Sequence, residues 1–180
     1  MFNIEKLILR QEQSKDYKSV FRIIEEAFSK EEFSDHKEQF LVERLRLSQA
    51  FIPELSIIAE YRNEIVGHIL LTRIQIKNMS QAFESLALAP VSVKPEFQNN
   101  GVGSQLILEA HSKAKALRFQ SIVILGHEDY YPKFGYELTS KYNIKLPFEA
   151  PEKNCMIFSF TKNGLEDVSG MVEYPKEFFE

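Results

Sequence analysis

The stretch from Val93 to Ser104, VKPEFQNNGVGS, holds the residues best suited to chemistry. An apolar, strand-like run leads into a turn with glycines at 101 and 103, and an amphipathic helix opens at once. The first turn of a helix leaves N–H groups without intrahelical partners, and the macrodipole adds positive potential there. Together they form an anion site suited to phosphate or pyrophosphate. Glycine at 101 lets the backbone approach an oxygen with no Cβ in the way. Glycine at 103 lets the helix pack closely on a sheet.

Spacing separates three motifs that share this logic. A Walker A loop needs Gly-Lys-Ser/Thr, but Gly103 is followed by Ser104-Gln105. A dinucleotide fingerprint needs a third small residue at 106, where Leu106 stands, and it normally opens the first βαβ unit. The pattern present is Gln98-x-x-Gly101-x-Gly103, preceded by Pro95 and a hydrophobic strand. It resembles the Gln/Arg-x-x-Gly-x-Gly/Ala signature of the GNAT acyltransferases, whose loop and helix N-terminus hold the CoA pyrophosphate. A second segment, Tyr130-Tyr131-Pro132-Lys133-Phe134-Gly135-Tyr136, is similar to the aromatic helix of that family, which ends in Gly-Phe/Tyr. The tail from Gly170 to Phe179 resembles the end of the YhbS-like bacterial subgroup.

The resemblance implies acetyl-CoA as cosubstrate, with no metal, and transfer of its acetyl group to a primary amine of a small molecule or protein. The implied cofactor contacts are Gln98, Asn99, Asn100, Gly101, Val102, Gly103 and Ser104, with backbone groups of Val91 and Val93 on the pantetheine amides. Tyr131, four residues before the glycine, is the implied catalytic residue, protonating or hydrogen-bonding the departing thiolate. Many family members carry a basic residue beside the motif glycine, whereas Asn99 and Asn100 stand here. That departure implies phosphate binding through N–H groups, the helix dipole and neutral side chains, with a weak dependence on salt. Glu84, His68, His127 and Glu128 are candidate bases, directly or through water, and no spacing singles one out.

These groups must be positioned by a sheet and its helices. Strands are expected at Ile4–Leu9, Ser56–Tyr61, Glu64–Arg73, Ser85–Val93, Ser121–Leu125, Tyr142–Leu146 and Met156–Thr161. A helix capped by Ser14 or Asp16 carries Tyr17, Val20, Phe21, Ile24, Ala27 and Phe28 at helical spacing. A second runs from about Asp35 to Gln49, with Phe40, Leu41, Leu45 and Leu47 towards the core. The third follows Gly103 to about Phe119, its apolar stripe being Leu106, Ile107, Ala110, Ala114 and Leu117. A short helix spans about Tyr130 to Phe134. The fold class is α/β, a GNAT-like mixed and mostly antiparallel sheet of about seven strands flanked by helices, with a strand pair splayed at the cofactor cleft. Pro90 removes a ladder donor inside its strand, which is therefore expected at an edge, bulged or splayed. One domain covers 1–180, with a core of 4–161 and a C-terminal tail of 162–180.

With 180 residues, 44% hydrophobic and 27% charged, the chain is long enough to bury a core unaided. A net charge of -4 disfavours nucleic acid as the partner, because phosphate backbones select basic faces. One cysteine, Cys155, suits a reducing cytoplasm and reads as a small core hydrophobe. The start is charged and lacks an apolar signal core, and apolar runs such as Ile65–Leu71 are too short to cross a bilayer. A monomer or homodimer is expected. Plainer readings stand beside these: a glycine pair that only starts a helix, and a tyrosine that only packs. Phe33, Phe40, Phe51 and Phe83 belong to a set of 15 phenylalanines that packing mostly explains, with an acceptor pocket as the other use. The alternative function is a non-catalytic CoA or acyl-CoA sensor, which has no need of a phenol at 131.

Overall fold

The computed structural model describes residues 2–31 and 34–180; Phe33 lies outside the described residues. The elements are β1 (Ile8–Gln11), α1 (Tyr17–Phe28), α2 (Glu38–Arg46), β2 (Ser56–Tyr61), β3 (Glu64–Lys77), β4 (Ala82–Val93), α3 (Val102–Ala116), β5 (Ser121–Leu125), β6 (Glu137–Leu138), β7 (Ile144–Lys145), β8 (Cys155–Ser159) and β9 (Gly170–Glu173). The sheet runs β1-β2-β3-β4-β5-β8-β6, while β9 pairs with β3 and β7. Among the described residues only β4–β5 and β7–β9 are parallel. Among the described residues no helix is long and apolar enough to cross a membrane.

Among the described residues nine strands replace the expected seven, because Glu137–Leu138 and Gly170–Glu173 add two short ones. A two-residue strand has no alternation to read. The first strand begins at Ile8, since Asn3 accepts from the Glu5 N–H and turns Ile4–Lys6 into a 3-10 turn. Arg62 and Asn63 have φ of +52° and +64°, the left-handed pair that closes a tight β2–β3 hairpin.

Each sheet face has its own cover. On one, α3 sinks Leu106, Ile107, Ala110 and Ala114 against Leu71, Leu86 and Ile122. Each large aliphatic so buried contributes about 1.5–3 kcal/mol. On the other, Val20 and Ile24 of α1 and Val42 and Leu45 of α2 cover Ile58 and Leu70. Further along the sheet, Ile144, Leu165 and Val172 pack with Ile74, Ile76 and Val123 in a second cluster. Phe40, Leu47 and Leu117, expected in the core, are 46%, 91% and 41% exposed. Leu47 and Leu117 lie just past the ends of their helices, where helical spacing no longer holds. The inward face of α2 is Gln39, Val42 and Leu45.

Pro90 sits in a central strand, and a bulge accommodates it. Leu71 opposes Leu88 and Ile69 opposes Val91, so Ala89 and Pro90 together face Leu70. Pairing between β4 and β5 is confined to Leu86–Ile122 and Ala87–Val123. Beyond those pairs the two strands part, which is the expected splay.

Candidate active site

The gap between the C-terminal halves of β4 and β5 has chemically distinct groups on its two sides. On the β4 side, the Lys94 N–H is bonded to the Val66 carbonyl of β3 at 2.9 Å. N–H directions alternate along a strand, so those of Val91 and Val93 turn away from β3, into the gap. The Val93 carbonyl accepts from the Gln98 side chain at 3.2 Å, which ties the start of the glycine loop to the strand end. The Asn100 side chain donates to the Gln98 carbonyl at 2.8 Å, drawing the loop into a tight turn.

The turn ends with Asn99 at φ +60° and Gly101 at φ +83°. Gly101 stands at the N-cap of α3, and its carbonyl accepts from the Gln105 N–H at 3.0 Å. Among the described residues, the N–H groups of residues 99–104 make no short, well-aligned backbone hydrogen bond. Gln98, Asn99, Asn100 and Gly101 are exposed, Gly103 and Ser104 half-buried, and the Val102 side chain is locked in the core. Only the amide of Val102 is therefore presented to a ligand. A side chain at 103 would meet the Tyr130 hydroxyl at 3.1 Å and Val93 at 3.7 Å, so glycine there admits close packing on the aromatic segment as well as the sheet.

On the β5 side, Tyr131 opens a 3-10 turn, Tyr131–Phe134, closed by Gly135 at φ +93°. The N–H groups of Tyr130 and Tyr131 both donate to the His127 carbonyl. Tyr131 is 7% exposed and lies edge-on to Tyr130 and Tyr136, with centroids 5.1 and 5.6 Å apart. Burial first, and then the neighbouring Tyr130, push its phenol well above the usual tyrosine range, so it stays protonated. The hydroxyl of Tyr136 shares a 3.0 Å hydrogen bond with Nε2 of His111 from α3, and His111 stacks on Phe158. Burial depresses His111 to about 4, so its ring is neutral.

The candidate bases fall in different places. His68 is wholly buried beneath α1 and α2, with Nε2 3.0 Å from the Ser56 hydroxyl. That hydroxyl donates to Glu12, which pairs with Arg46. Burial, and secondarily Arg46, depress His68 to about 3, which removes it as a base for an ammonium group. Glu84 is paired with Arg73 at 2.6 Å, towards the N-terminal end of β4 and away from the gap. His127 and Glu128 directly follow Gly126 at the end of β5; Glu128 is paired with Lys153 at 2.9 Å. Cys155 is free and buried. Among the described residues no three His, Cys, Asp or Glu side chains gather as a metal site. Sequence reasoning missed Tyr130, whose hydroxyl reaches the first turn of α3; its i,i+3 spacing from Lys133 on one short turn was the available signal.

The sequence profile of the Acetyltransferase (GNAT) domain matches residues 9–139. The uncharacterized N-acetyltransferase YjhQ of Escherichia coli K12 is 35% identical over 123 residues, 68% of each chain. The uncharacterized N-acetyltransferase YhbS of the same organism is 21% identical over 153 residues, 85% of this chain and 90% of that one. The crystal structure of Escherichia coli YhbS in complex with CoA has a TM-score of 0.87, covering 97% of this chain and 93% of that one at 20% identity. A Brucella melitensis GNAT family acetyltransferase in complex with acetyl-CoA gives 0.78, covering 96% and 97% at 26% identity.

Proposed function

The chain belongs to the GNAT acetyltransferase family, and on that premise we propose that it transfers an acetyl group from acetyl-CoA to a primary amine by direct attack on the thioester. The acceptor is a small molecule or a protein amino group. One observation carries this reading: the six N–H groups of residues 99–104, none in a short, well-aligned hydrogen bond among the described residues, and the protonated phenol of Tyr131 flank the same parted strands.

The loop amides and the N-terminus of α3 hold the pyrophosphate. The N–H groups of Val91 and Val93 hold the pantetheine amides along β4, and an N–H there polarises the thioester carbonyl. An acceptor amine has an ordinary pKa of about 10.4 and must lose a proton before it attacks. We assign that step to the His127–Glu128 side of the gap, directly or through water. The amine nitrogen forms the new bond to the acyl carbon, the C–S bond breaks, and Tyr131 supplies a proton or a hydrogen bond to the leaving thiolate.

Residues 1–180 act as one catalytic domain in this reading, and pairing of β9 with β3 supports it by tying the tail into the sheet. We assign the protein to the cytoplasm, in keeping with its single unpaired cysteine. The test is calorimetric titration with acetyl-CoA, using desulfo-CoA, ATP and NAD as controls, followed by a thiol-release assay over a panel of amines. Acetyl-CoA binding with amine-dependent thiol release is expected. Binding without turnover on any amine would favour a CoA sensor, and no binding would remove the reading.

A further inference from the structure

The six loop amides face a ligand with several negative charges, yet residues 98–104 contain no lysine or arginine. A helix N-terminus supplies only about half a positive charge. Lys94, at the start of the loop, is already bound to Glu64 at 2.5 Å. A full charge arrives from the other side of the gap. Lys133 holds its Nζ 3.8 Å from the Tyr130 ring centroid and 5.0 Å from that of Phe134. The Tyr130 hydroxyl lies in turn against Gly103, 3.1 Å from where a Cβ would stand. The ammonium is thus within one aromatic ring of the first turn of α3, is exposed, and has no carboxylate partner among the described residues. An ammonium on a ring face is positioned without being neutralised.

Building on the acetyl-CoA reading above, we propose that Lys133, with the hydroxyl of Tyr130, completes the phosphate site and supplies the positive charge that the glycine loop lacks. Tyr130 serves both partners: its ring holds the ammonium, and its hydroxyl donates to a phosphate oxygen beside Gly103. Cofactor binding therefore weakens with salt, contrary to the expectation drawn from Asn99 and Asn100 alone, because an exposed ammonium–phosphate contact is screened.

CoA and 3′-dephospho-CoA are titrated calorimetrically into the wild type, Lys133→Gln, Lys133→Arg and Tyr130→Phe at low and high ionic strength. Losing one charge-assisted contact is expected to weaken CoA binding by roughly tenfold at low salt in Lys133→Gln, with a shallower salt dependence. Lys133→Arg restores most of the affinity, and Tyr130→Phe loses roughly threefold, the scale of a neutral hydrogen bond. If dephospho-CoA shows the same Lys133→Gln loss as CoA, the contact is to the pyrophosphate; if the loss disappears, it is to the 3′-phosphate. Unchanged CoA affinity and salt dependence in folded Lys133→Gln would overturn the proposal alone. A wild type that binds neither ligand would overturn the acetyl-CoA reading and this one with it.

Discussion

The ring of Tyr131 fills the space in which any side chain at Gly126 would project. Gly126 is the first residue after β5, so the end of that strand directly sets the depth of the phenol. Replacing Gly126 with Ala must push the ring aside or the strand back. Overpacking of this kind costs about 1–3 kcal/mol, and a shift near 1 Å in a reacting group lowers turnover by up to about 100-fold. Gly126→Ala is expected to lose kcat while its acetyl-CoA Kd stays within about twofold, since the phosphate loop is untouched. Equal losses in both would mean that Gly126 supports the fold and not the phenol.

Tyr131→Phe keeps the ring against Gly126 and removes only the hydroxyl. Turnover should fall by about 100-fold, within the range for a general acid, with little change in acetyl-CoA affinity. Because burial raises the phenol, it stays protonated through the usual tyrosine pKa of 10. The wild-type rate should climb with pH as the amine acceptor deprotonates, with no descending limb up to that pH. A fall below pH 9 in a still-folded enzyme would speak against a protonated Tyr131.

Gly101 carries φ +83° at the N-cap of α3, and a Cβ there would meet Ile4 Cδ1 at an ordinary 4.0 Å. Gly101→Ala therefore incurs backbone strain without a clash, about 1–2 kcal/mol. Relaxation of that strain turns the loop amides, so acetyl-CoA binding should weaken along with the melting temperature. Undiminished affinity in Gly101→Ala would show that the loop does not depend on this conformation.

Two buried histidines make stability sensitive to acid. His68 is faced by Ser56, Glu12 and Arg46, and His111 by Tyr136 and the ring of Phe158. Both are depressed from 6.5, to about 3 and about 4. Between 6.5 and those values the unfolded chain binds protons that the folded chain refuses. Their contribution is present above pH 6.5 and is lost as pH falls, at up to about 1.4 kcal/mol per unit for each histidine. Urea midpoints should drop steeply between pH 7 and pH 5, and His68→Gln should flatten that slope. Equal midpoints at the two pH values would contradict it.

The polar cluster around Glu12 should be costly to break from one side. Glu12 and Arg46 side chains are 1% and 5% exposed. Glu12→Ala strands a buried guanidinium and leaves His68 as the one remaining side-chain partner of the Ser56 hydroxyl among the described residues, and about 3–5 kcal/mol of stability should go with it. Replacing Glu12 and Arg46 together by apolar residues should cost less, which a double-mutant cycle in urea would measure.

Much of this was legible in the residues. The long strands, α3 and the Arg62-Asn63 turn follow from patterning, because alternation and helical spacing act over many positions. The glycine loop was legible because Gly101 needs a conformation that other residues resist. What escaped depends on distant contacts. Nothing near His68 in the chain announces that Ser56, Glu12 and Arg46 will enclose it. β9 exists only because Gly170–Glu173 finds a vacant stretch of β3 beyond the end of β2. In the sequence Tyr130 is one aromatic of the second segment, and only the fold sets its hydroxyl against Gly103.

The extra residue at Ala89–Pro90 works as a phase shifter. Before it, the even positions Leu86 and Leu88 point towards α3; after it, the odd positions Val91 and Val93 do. Drawing β4 into a regular ladder with both residues kept would turn Val91 and Val93 to the opposite side and Ser92 into the core beneath α3, whereas deleting one of the two would leave Val91 opposite Ile69 and still facing α3. Such a deletion would give a more continuous sheet, keep the register downstream of it, the glycine loop included, and lose only the local break in the ladder. The extra residue therefore supplies a local bend just ahead of the parted strand ends, while the facing of Val91 and Val93 depends on the two residues sharing one position of the ladder.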